Sequence, residues 1–156
     1  MNLIFRLLAA YLSTLFKPRL PADKPSTALS LMVLPNDIDI NLHMNNGRYF
    51  TICDLARIDI FLRTGLAKTM LKEKWIPVIS SNSMSYKRPL KVFQRYRLEM
   101  DVVDWDERSF DMTHRFIIED RIVAKGSSKG IIVGKEGVIP PKLVLAKVEA
   151  YSQGDE

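Results

Sequence analysis

The feature that most constrains the fold is a change of hydrophobic period near Trp75. Between Gly47 and Thr64, apolar residues recur at the spacing of one helix face: Tyr49, Ile52, Cys53, Ala56, Ile60 and Phe61. After Trp75, apolar and polar residues alternate, which is the period of a strand with one buried face. One long helix followed by several such strands predicts an α+β domain in which a single antiparallel sheet covers the helix.

The signals at the element ends set their boundaries. Asn45 or Asn46 is expected to cap the long helix and Gly65 to end it. Short polar connections predict antiparallel hairpins between the later strands. The predicted elements are a strand at 28–34, helices at 47–64 and 66–74, and strands at 77–89, 95–103, 110–118 and 122–133. The tail is expected to hold a weak amphipathic stretch to Val148 and then a frayed polar end.

A chain of 156 residues fits one domain. We predict an N-terminal apolar helix with a proline-containing linker at 1–25, the main domain at 26–139 and a C-terminal tail at 140–156. One curved sheet layer leaves an edge or a face for another subunit, so a homo-oligomer is expected.

The charge balance points to anionic partners. The formal net charge is +5 and the pI about 9.4, which suits either a solvated basic surface or an anionic acyl carrier such as coenzyme A. The chain has no zinc-finger spacing, no heptads and no basic run of five residues, so nucleic acid is not an expected partner. The single cysteine, Cys53, indicates a reducing compartment, and we expect a cytoplasmic location.

Residues 3–16 form a dense apolar run with Arg6 inside it. The run is too short to span a bilayer, which takes roughly 20 residues. Three interpretations stay open: packing on the domain or a partner subunit, peripheral contact with an anionic membrane surface, or an atypical export signal. We expect this segment to lie apart from the chemistry, so that removal of residues 1–19 leaves activity intact.

The segment 37–46 concentrates the groups that can do chemistry. It holds two carboxylates, three amides and an imidazole, namely Asp37, Asp39, Asn41, Asn45, Asn46 and His43. The segment leads into a helix N-terminus, whose free N–H groups and dipole stabilise a developing oxyanion. An upstream carboxylate can activate water or attack directly, which together suits acyl transfer. The alternative is an ordinary capping loop.

Other polar residues are expected to be structural. His114 and Cys53 lie on apolar faces and are predicted core residues. Asp54 and Arg57 are spaced as an i,i+3 pair on the long helix. Two distant histidines and one cysteine do not form a transition-metal shell, so no metal site is predicted.

At this loop the sequence resembles the hot-dog thioesterases. The motif Asp39-x-Asn41-x-His43-Met44-Asn45-Asn46-x-x-Tyr49 is similar to Asp-x-x-Gly-His-Val-Asn-Asn-x-x-Tyr of acyl-CoA thioesterases related to 4-hydroxybenzoyl-CoA thioesterase. It is closer still to Asp-x-Asn-x-His-Val-Asn-Asn of the plant acyl-carrier-protein thioesterases. The segment 85–90 resembles the family's strand before a turn, and the likeness covers roughly residues 28–135. Departures are Leu42 in place of a common glycine, and 91–94 in place of a Gly-Asp turn.

The resemblance implies a hot-dog fold, a curved antiparallel sheet wrapped around one long central helix. It implies a thioesterase acting on acyl-CoA or acyl-carrier-protein thioesters, as a homodimer or homotetramer, without metal or prosthetic group. Asp39 matches the catalytic carboxylate, and Asn41 and His43 match the residues that orient water or substrate. The residues expected to bind substrate are Asn45, Asn46, Gly47, Tyr49, Arg88, Lys125 and Lys129. The backbone N–H of Asn46 or Gly47 is expected to polarise the carbonyl.

Two other functions stay open. A non-catalytic acyl-ligand-binding protein can have the same fold, since fold does not fix function. A hot-dog hydratase carries Asp-x-Asn-Pro-x-His, whereas this chain has His43 four residues after Asp39 and no proline between them. Hydration of an enoyl thioester is therefore the less favoured alternative.

Overall fold

A computed structural model of the protein describes residues 2–154 and has the predicted order of elements. The helices are α1 (Asn2–Thr14), α2 (Asn46–Thr64), α3 (Leu66–Glu73) and α4 (Pro141–Gln153), and a 3₁₀ turn covers Pro35–Asp37. The strands are β1 (Ser26–Met32), β2 (Ile76–Tyr86), β3 (Arg95–Trp105), β4 (Phe110–Ile118), β5 (Arg121–Gly134) and β6 (Gly137–Ile139). The prediction of an α+β domain is confirmed.

The strands form one antiparallel sheet in the order β1-β3-β4-β5-β2, with β6 also paired to β5. A single row of inward side chains crosses all five main strands. In it Leu29 pairs with Leu98, Leu98 with Phe116, Phe116 with Ala124, and Ala124 with Tyr86. This register gives the sheet an apolar inner face, and charged and hydroxyl side chains lie on the outer face.

Helix α2 packs against that inner face. Its start is capped by Asn45, whose side chain accepts from the backbone N–H of Gly47, and it ends at Gly65, which has φ 84°. This left-handed conformation is one that glycine adopts without strain. The apolar stripe of α2 contains Ile52, Leu55 and Ile60, all fully buried or nearly so. Burial of each such side chain stabilises the fold by about 1.5–3 kcal/mol.

The N-terminal helix α1 packs on the domain, which is the first of the three interpretations of residues 3–16. Leu3 and Leu7 contact the main core, and Arg6 and Lys17 form ion pairs with buried carboxylates. None of the helices within residues 2–154 is both long enough and apolar enough to cross a membrane.

The C-terminal region is more ordered than the sequence indicates. The expectation of a frayed end is wrong as far as Gln153, because α4 continues to that residue. The Tyr151 hydroxyl donates to Glu73 at 2.5 Å, and the Lys72 ammonium lies 4.4 Å from the centre of the Tyr151 ring. Val148 belongs to a second apolar cluster between α3, α4 and β5. The end of α4 after Val148 depends on these long-range contacts and β6 on its pairing with β5, and neither has a signal in the local sequence.

Candidate active site

A tight turn brings the predicted catalytic residues together. The backbone N–H of Asp39 donates to the His43 carbonyl at 2.9 Å, and the N–H of Leu42 donates to the Asp39 carbonyl at 3.0 Å. Asp39 Oδ1 also accepts from the backbone N–H of Asn41 at 2.8 Å. The turn requires φ 60° at Leu42, the position where the resembled CoA enzymes commonly have glycine. Asp39, Asn41 and His43 therefore lie on one turn of five residues.

Backbone hydrogen bonds fix this turn to the rest of the domain. Met44 N–H donates to the Leu90 carbonyl at 2.8 Å, and His43 forms an isolated bridge with Lys91. Asn45 N–H donates to the Asp37 carbonyl at 2.8 Å. Asp39 and His43 are half-buried and Asn41 is exposed, so the turn has its functional groups at the surface while its backbone is held on both sides.

The N-terminus of α2 supplies one free donor next to this turn. Gly47 N–H is used by the Asn45 side chain at 2.8 Å, and Arg48 N–H by the Asn45 carbonyl at 2.9 Å. For Asn46 N–H, the described residues provide no acceptor, while the Asn46 carbonyl accepts from the Tyr86 hydroxyl at 3.1 Å. Of the two N–H groups predicted from the sequence, that of Asn46 is the one available to polarise a carbonyl, at the positive end of the helix dipole.

The buried side chain of Asp37 fixes the loop to the interior of the domain. Its carboxylate is fully buried and accepts from Arg6 Nη2 at 2.6 Å, Arg6 Nη1 at 3.1 Å, Arg48 Nε at 2.9 Å and the Leu34 N–H at 2.8 Å. Four donor groups, three of them from the charged side chains of Arg6 and Arg48, keep a buried carboxylate satisfied. Asp37 thereby fixes the start of the loop two residues before Asp39.

Arg6 and Arg48 are the functional residues that sequence reasoning missed. Arg6 also donates to the Met32 carbonyl at 2.8 Å, so α1 is tied to the segment that leads into the site. The expectation that residues 1–19 lie apart from the chemistry does not agree with these contacts, because their removal would leave Asp37 without its bidentate partner. The one charge inside the apolar run was the signal that could have identified Arg6.

The predicted substrate-binding residues at the start of α2 differ in their exposure. Asn45, Asn46 and Gly47 lie at the surface beside the turn. Tyr49 is only 1% exposed and lies in the core, where its ring contacts those of Tyr86 and Phe116, each with a centroid distance of 4.9 Å. Its contribution to the site is to hold the first turn of α2 against the sheet.

The three predicted carrier contacts are more scattered. Arg88 is exposed just beyond the end of β2, and its backbone N–H donates to the Val123 carbonyl at 3.1 Å. Lys125 and Lys129 lie on the outer face of β5, opposite to α2, about 13 Å apart along the strand. Lys129 is paired with Asp111 at 2.6 Å. Of these three cations, Arg88 and Lys125 are the nearer ones along the strands to the end of the sheet that carries the loop.

Of the residues predicted to be structural, Cys53, His114 and Arg57 are in the interior, whereas Asp54 is exposed. Burial raises the pKa of the Cys53 thiol to about 12 and keeps it in the unreactive protonated form. His114 is fully buried and donates through Nε2 to the Ser83 carbonyl at 3.2 Å. Its burial lowers its pKa and thus favours the neutral imidazole. Arg57 forms the predicted pair with Asp54 at 2.6 Å.

Comparison with known proteins is consistent with this architecture. A family profile described as the thioesterase-like superfamily matches residues 33–146. Protein THEM6 of Xenopus laevis is 30% identical over 131 residues, which cover 80% of this chain and 62% of that protein. The probable thioesterase YBR096W of Saccharomyces cerevisiae is 28% identical over 131 residues, covering 81% of this chain and 56% of that protein.

The fold also matches solved hot-dog structures. A structure of BH1999 gentisyl-coenzyme A thioesterase superposes with a TM-score of 0.65 at 20% identity, covering 77% of this chain and 99% of that one. The chain spans 42% to 62% of the length of the first curated relatives it matches. The prediction of a curved antiparallel sheet around a central helix is confirmed by the match of fold.

Proposed function

Because this chain belongs to the thioesterase-like superfamily, we propose that it hydrolyses a thioester, with a fatty acyl-coenzyme A as the favoured substrate. The family assignment agrees with the prediction of a thioester hydrolase. The observation that carries the proposal is that the hydrogen-bonded turn of Asp39 leads directly into the start of α2, where the N–H of Asn46 has no acceptor among the described residues. A carboxylate and an oxyanion donor at one helix N-terminus are the two groups that acyl transfer requires.

In this mechanism the thioester carbonyl oxygen accepts from Asn46 N–H, where the α2 dipole stabilises the negative charge of the tetrahedral intermediate. Asp39 acts as a base that takes a proton from water, or as a nucleophile that first bonds to the acyl carbon. Collapse of the intermediate breaks the C–S bond. In the base route the departing thiolate takes the proton that Asp39 removed from water. In the nucleophilic route water then hydrolyses the Asp39 acyl anhydride, which releases the free acid, regenerates the carboxylate and supplies the proton for the thiolate. Asn41 and His43, on the same turn, orient water or substrate. The chemistry uses side chains, backbone and water, and coenzyme A enters only as part of the substrate.

Coenzyme A is favoured over a carrier protein for two reasons. A protein of the same fold is named for activity on a coenzyme A thioester, and the net charge of +5 attracts the carrier's phosphates. Arg88 and Lys125 are the favoured contacts for those phosphates, with Lys129 a more remote third. An acyl-carrier-protein thioester is the alternative substrate.

We propose that the active form is a homodimer or a homotetramer. Within residues 2–154, β2 pairs along one edge only, with β5. Ile76 on that strand is 63% exposed. At the site itself Ile40 is 97% exposed and Leu42 69%, so the catalytic turn carries an apolar surface that a second subunit can cover. Such an interface would enclose the acyl chain next to Asp39.

The test compares thiol release by the wild type and by Asp39→Asn on short, medium and long acyl-coenzyme A substrates. The amide retains the Oδ1 that accepts from Asn41 N–H, so the turn is kept while the carboxylate charge is lost. We expect a loss of several orders of magnitude. Asp104→Asn, at an exposed position on β3, is the matched control and should retain full activity.

Each other result supports a different function. Turnover retained by Asp39→Asn would remove this carboxylate from the reaction. Tight binding of acyl-coenzyme A by a folded wild type without turnover would support the non-catalytic binder. Hydration of an enoyl thioester without thiol release would support the hydratase.

A further inference from the structure

The outer face of α1 is an apolar stripe. Large apolar side chains recur along α1 and the turn that follows it at helical spacing, and all are exposed: Ile4, Phe5, Leu8, Tyr11, Leu12, Leu15 and Phe16. Their exposed fractions range from 47% at Tyr11 to 90% at Phe16. We call these seven residues the α1 stripe. They occupy the face of the helix opposite to the one that packs on the domain.

The α1 stripe is larger than the apolar patches that soluble proteins usually expose. With about 150–250 Å² for each aromatic side chain, its three aromatic residues alone expose on the order of 400 Å². Four aliphatic side chains add to this area. Contiguous apolar patches of more than a few hundred Å² mark surfaces that bind a partner or a membrane.

The stripe cannot turn inward, because the other face of α1 is fixed. Arg6 pairs with Asp37 at 2.6 Å, and Lys17 with Asp59 at 2.9 Å, and both carboxylates are fully buried. Leu7 packs against the core between these two pairs. Rotation of the helix would leave two buried carboxylates without their partners, which is strongly unfavourable. The α1 stripe is therefore a permanent feature of the surface.

The charges next to the stripe in the sequence are mainly basic. Residues 1–22 contain no Asp or Glu, and the segment after the stripe exposes two cations, Arg19 and Lys24, and one carboxylate, Asp23. Helix α1 has 13 residues, a length of about 20 Å, whereas a bilayer core is about 30 Å thick. A short helix with one apolar face, one fixed face and basic residues at its end suits the plane of an anionic lipid interface.

We propose that the α1 stripe lies on an anionic membrane surface, with its apolar side chains inserted among the lipids and Arg19 and Lys24 at the headgroups. This inference stands apart from the proposed function, because it rests on the stripe and its charges alone. It also has a consequence for that function: Arg6 joins the same helix to Asp37, so the membrane and the catalytic turn lie on neighbouring parts of the molecule. An acyl thioester that partitions into lipid would meet the site there.

The test measures binding of the full chain to sedimented vesicles of phosphatidylcholine, with and without phosphatidylserine. We expect binding that is stronger with phosphatidylserine. The variant Phe5→Ser/Leu12→Ser should bind at least roughly tenfold more weakly, since two inserted apolar side chains are lost. The control Phe93→Ser/Leu71→Ser removes the same two residue types elsewhere, where Phe93 is 62% and Leu71 81% exposed, and should bind like the wild type.

A second variant tests the charge. Arg19→Gln/Lys24→Gln should lower binding to anionic vesicles by about 25-fold, at roughly fivefold for each cation, and leave binding to neutral vesicles unchanged. Thermal unfolding of each variant verifies that it is folded.

Three results would overturn the proposal. The first is a folded wild type that does not bind anionic vesicles. The second is an equal loss of binding in the Phe93→Ser/Leu71→Ser control. The third is a change of oligomeric state, measured by sedimentation velocity, in Phe5→Ser/Leu12→Ser without any vesicle binding by the wild type, because the stripe would then bind a second copy of the chain. None of these measurements depends on enzymatic turnover, so they leave the proposed function untouched.

Discussion

Replacement of Arg6 by alanine removes the link between α1 and the catalytic loop. The Arg6 guanidinium makes two of the four hydrogen bonds to the Asp37 carboxylate, at 2.6 and 3.1 Å, and a third bond to the Met32 carbonyl at 2.8 Å. The Asp37 side chain has no exposed surface, so water cannot replace the lost donors without a local opening of the structure. The variant thus leaves a buried carboxylate held by Arg48 and one backbone N–H.

The expected cost follows from these contacts. Removal of one partner from a buried ion pair costs about 3–5 kcal/mol. The lower end applies here because Arg48 Nε stays at 2.9 Å from the carboxylate. The orphaned Met32 carbonyl adds about 1 kcal/mol. We expect the free energy of unfolding to fall by about 3–4 kcal/mol, which for a chain of this size corresponds to a melting temperature lower by roughly 10 °C.

The effect on turnover should exceed the effect on substrate binding. The Asp37 carbonyl accepts from Asn45 N–H, and Asp39 follows two residues later, so a displaced Asp37 shifts the carboxylate and the helix N-terminus relative to each other. A misplacement of about 1 Å can cost about a hundredfold in rate. We therefore expect kcat to fall by more than KM rises.

The assay is urea unfolding of the wild type, Arg6→Ala, Asp37→Asn and the double variant, together with steady-state kinetics. Arg108→Ala, at an exposed position in the hairpin between β3 and β4, is the control. In the double variant the amide carries no charge to leave unpaired, so its cost should be smaller than the sum of the two single costs. A loss below about 0.5 kcal/mol for Arg6→Ala, or full additivity in the cycle, would refute the reasoning.

Three further outcomes are expected. Leu42→Gly should raise the free energy of unfolding by about 1 kcal/mol, since it relieves a φ of 60° at a side chain that is 69% exposed, whereas Leu71→Gly in α3 should lower it by about 1 kcal/mol. Gly126→Ala should cost more than about 2 kcal/mol in urea unfolding, because its Cβ would lie 1.9 Å from the Ser83 carbonyl oxygen. Burial lowers the pKa of His114 in the folded state, so its contribution to stability is complete above an unfolded pKa of about 6.5 and is lost as the pH falls through the folded value. His114→Gln should flatten the pH dependence of urea unfolding in that acid window, and an unchanged slope would contradict this assignment.

The parts of the fold that the sequence predicts are those with a local physical signal. The period of 3.6 residues and the flanking Asn45 and Gly65 define α2, because caps and amphipathicity act within the helix itself. The alternation of Tyr96, Leu98 and Met100 likewise defines β3, since a strand with one buried face needs no other information to be recognised.

Features that depend on distant partners could not be predicted in this way. Helix α4 is held by contacts such as that of Tyr151 with Glu73, which are 78 residues apart. The role of Asp37 depends on Arg6, 31 residues earlier, and nothing in the loop itself distinguishes Asp37 from Asp39. Both are aspartates in a turn-rich segment, yet the first is fully buried and the second half-buried. Only the tertiary structure separates the anchoring carboxylate from the one that faces the substrate.

The contrast between Asp37 and Asp39 explains how a small loop can be held rigidly and still present a reactive carboxylate. The buried carboxylate of Asp37 forms ion pairs with Arg6 and Arg48. These pairs fix the loop backbone, and Asp39 takes no part in them. Within the described residues Asp39 forms no ion pair and accepts only from a backbone N–H two residues away, so its carboxylate stays available to a substrate or to water. If Asp39 were paired as Asp37 is, its charge would be neutralised by the protein and it would be a weaker base. The two aspartates therefore have different roles because their hydrogen-bond donors differ. Helix α1 is part of the site because its Arg6 donates to Asp37.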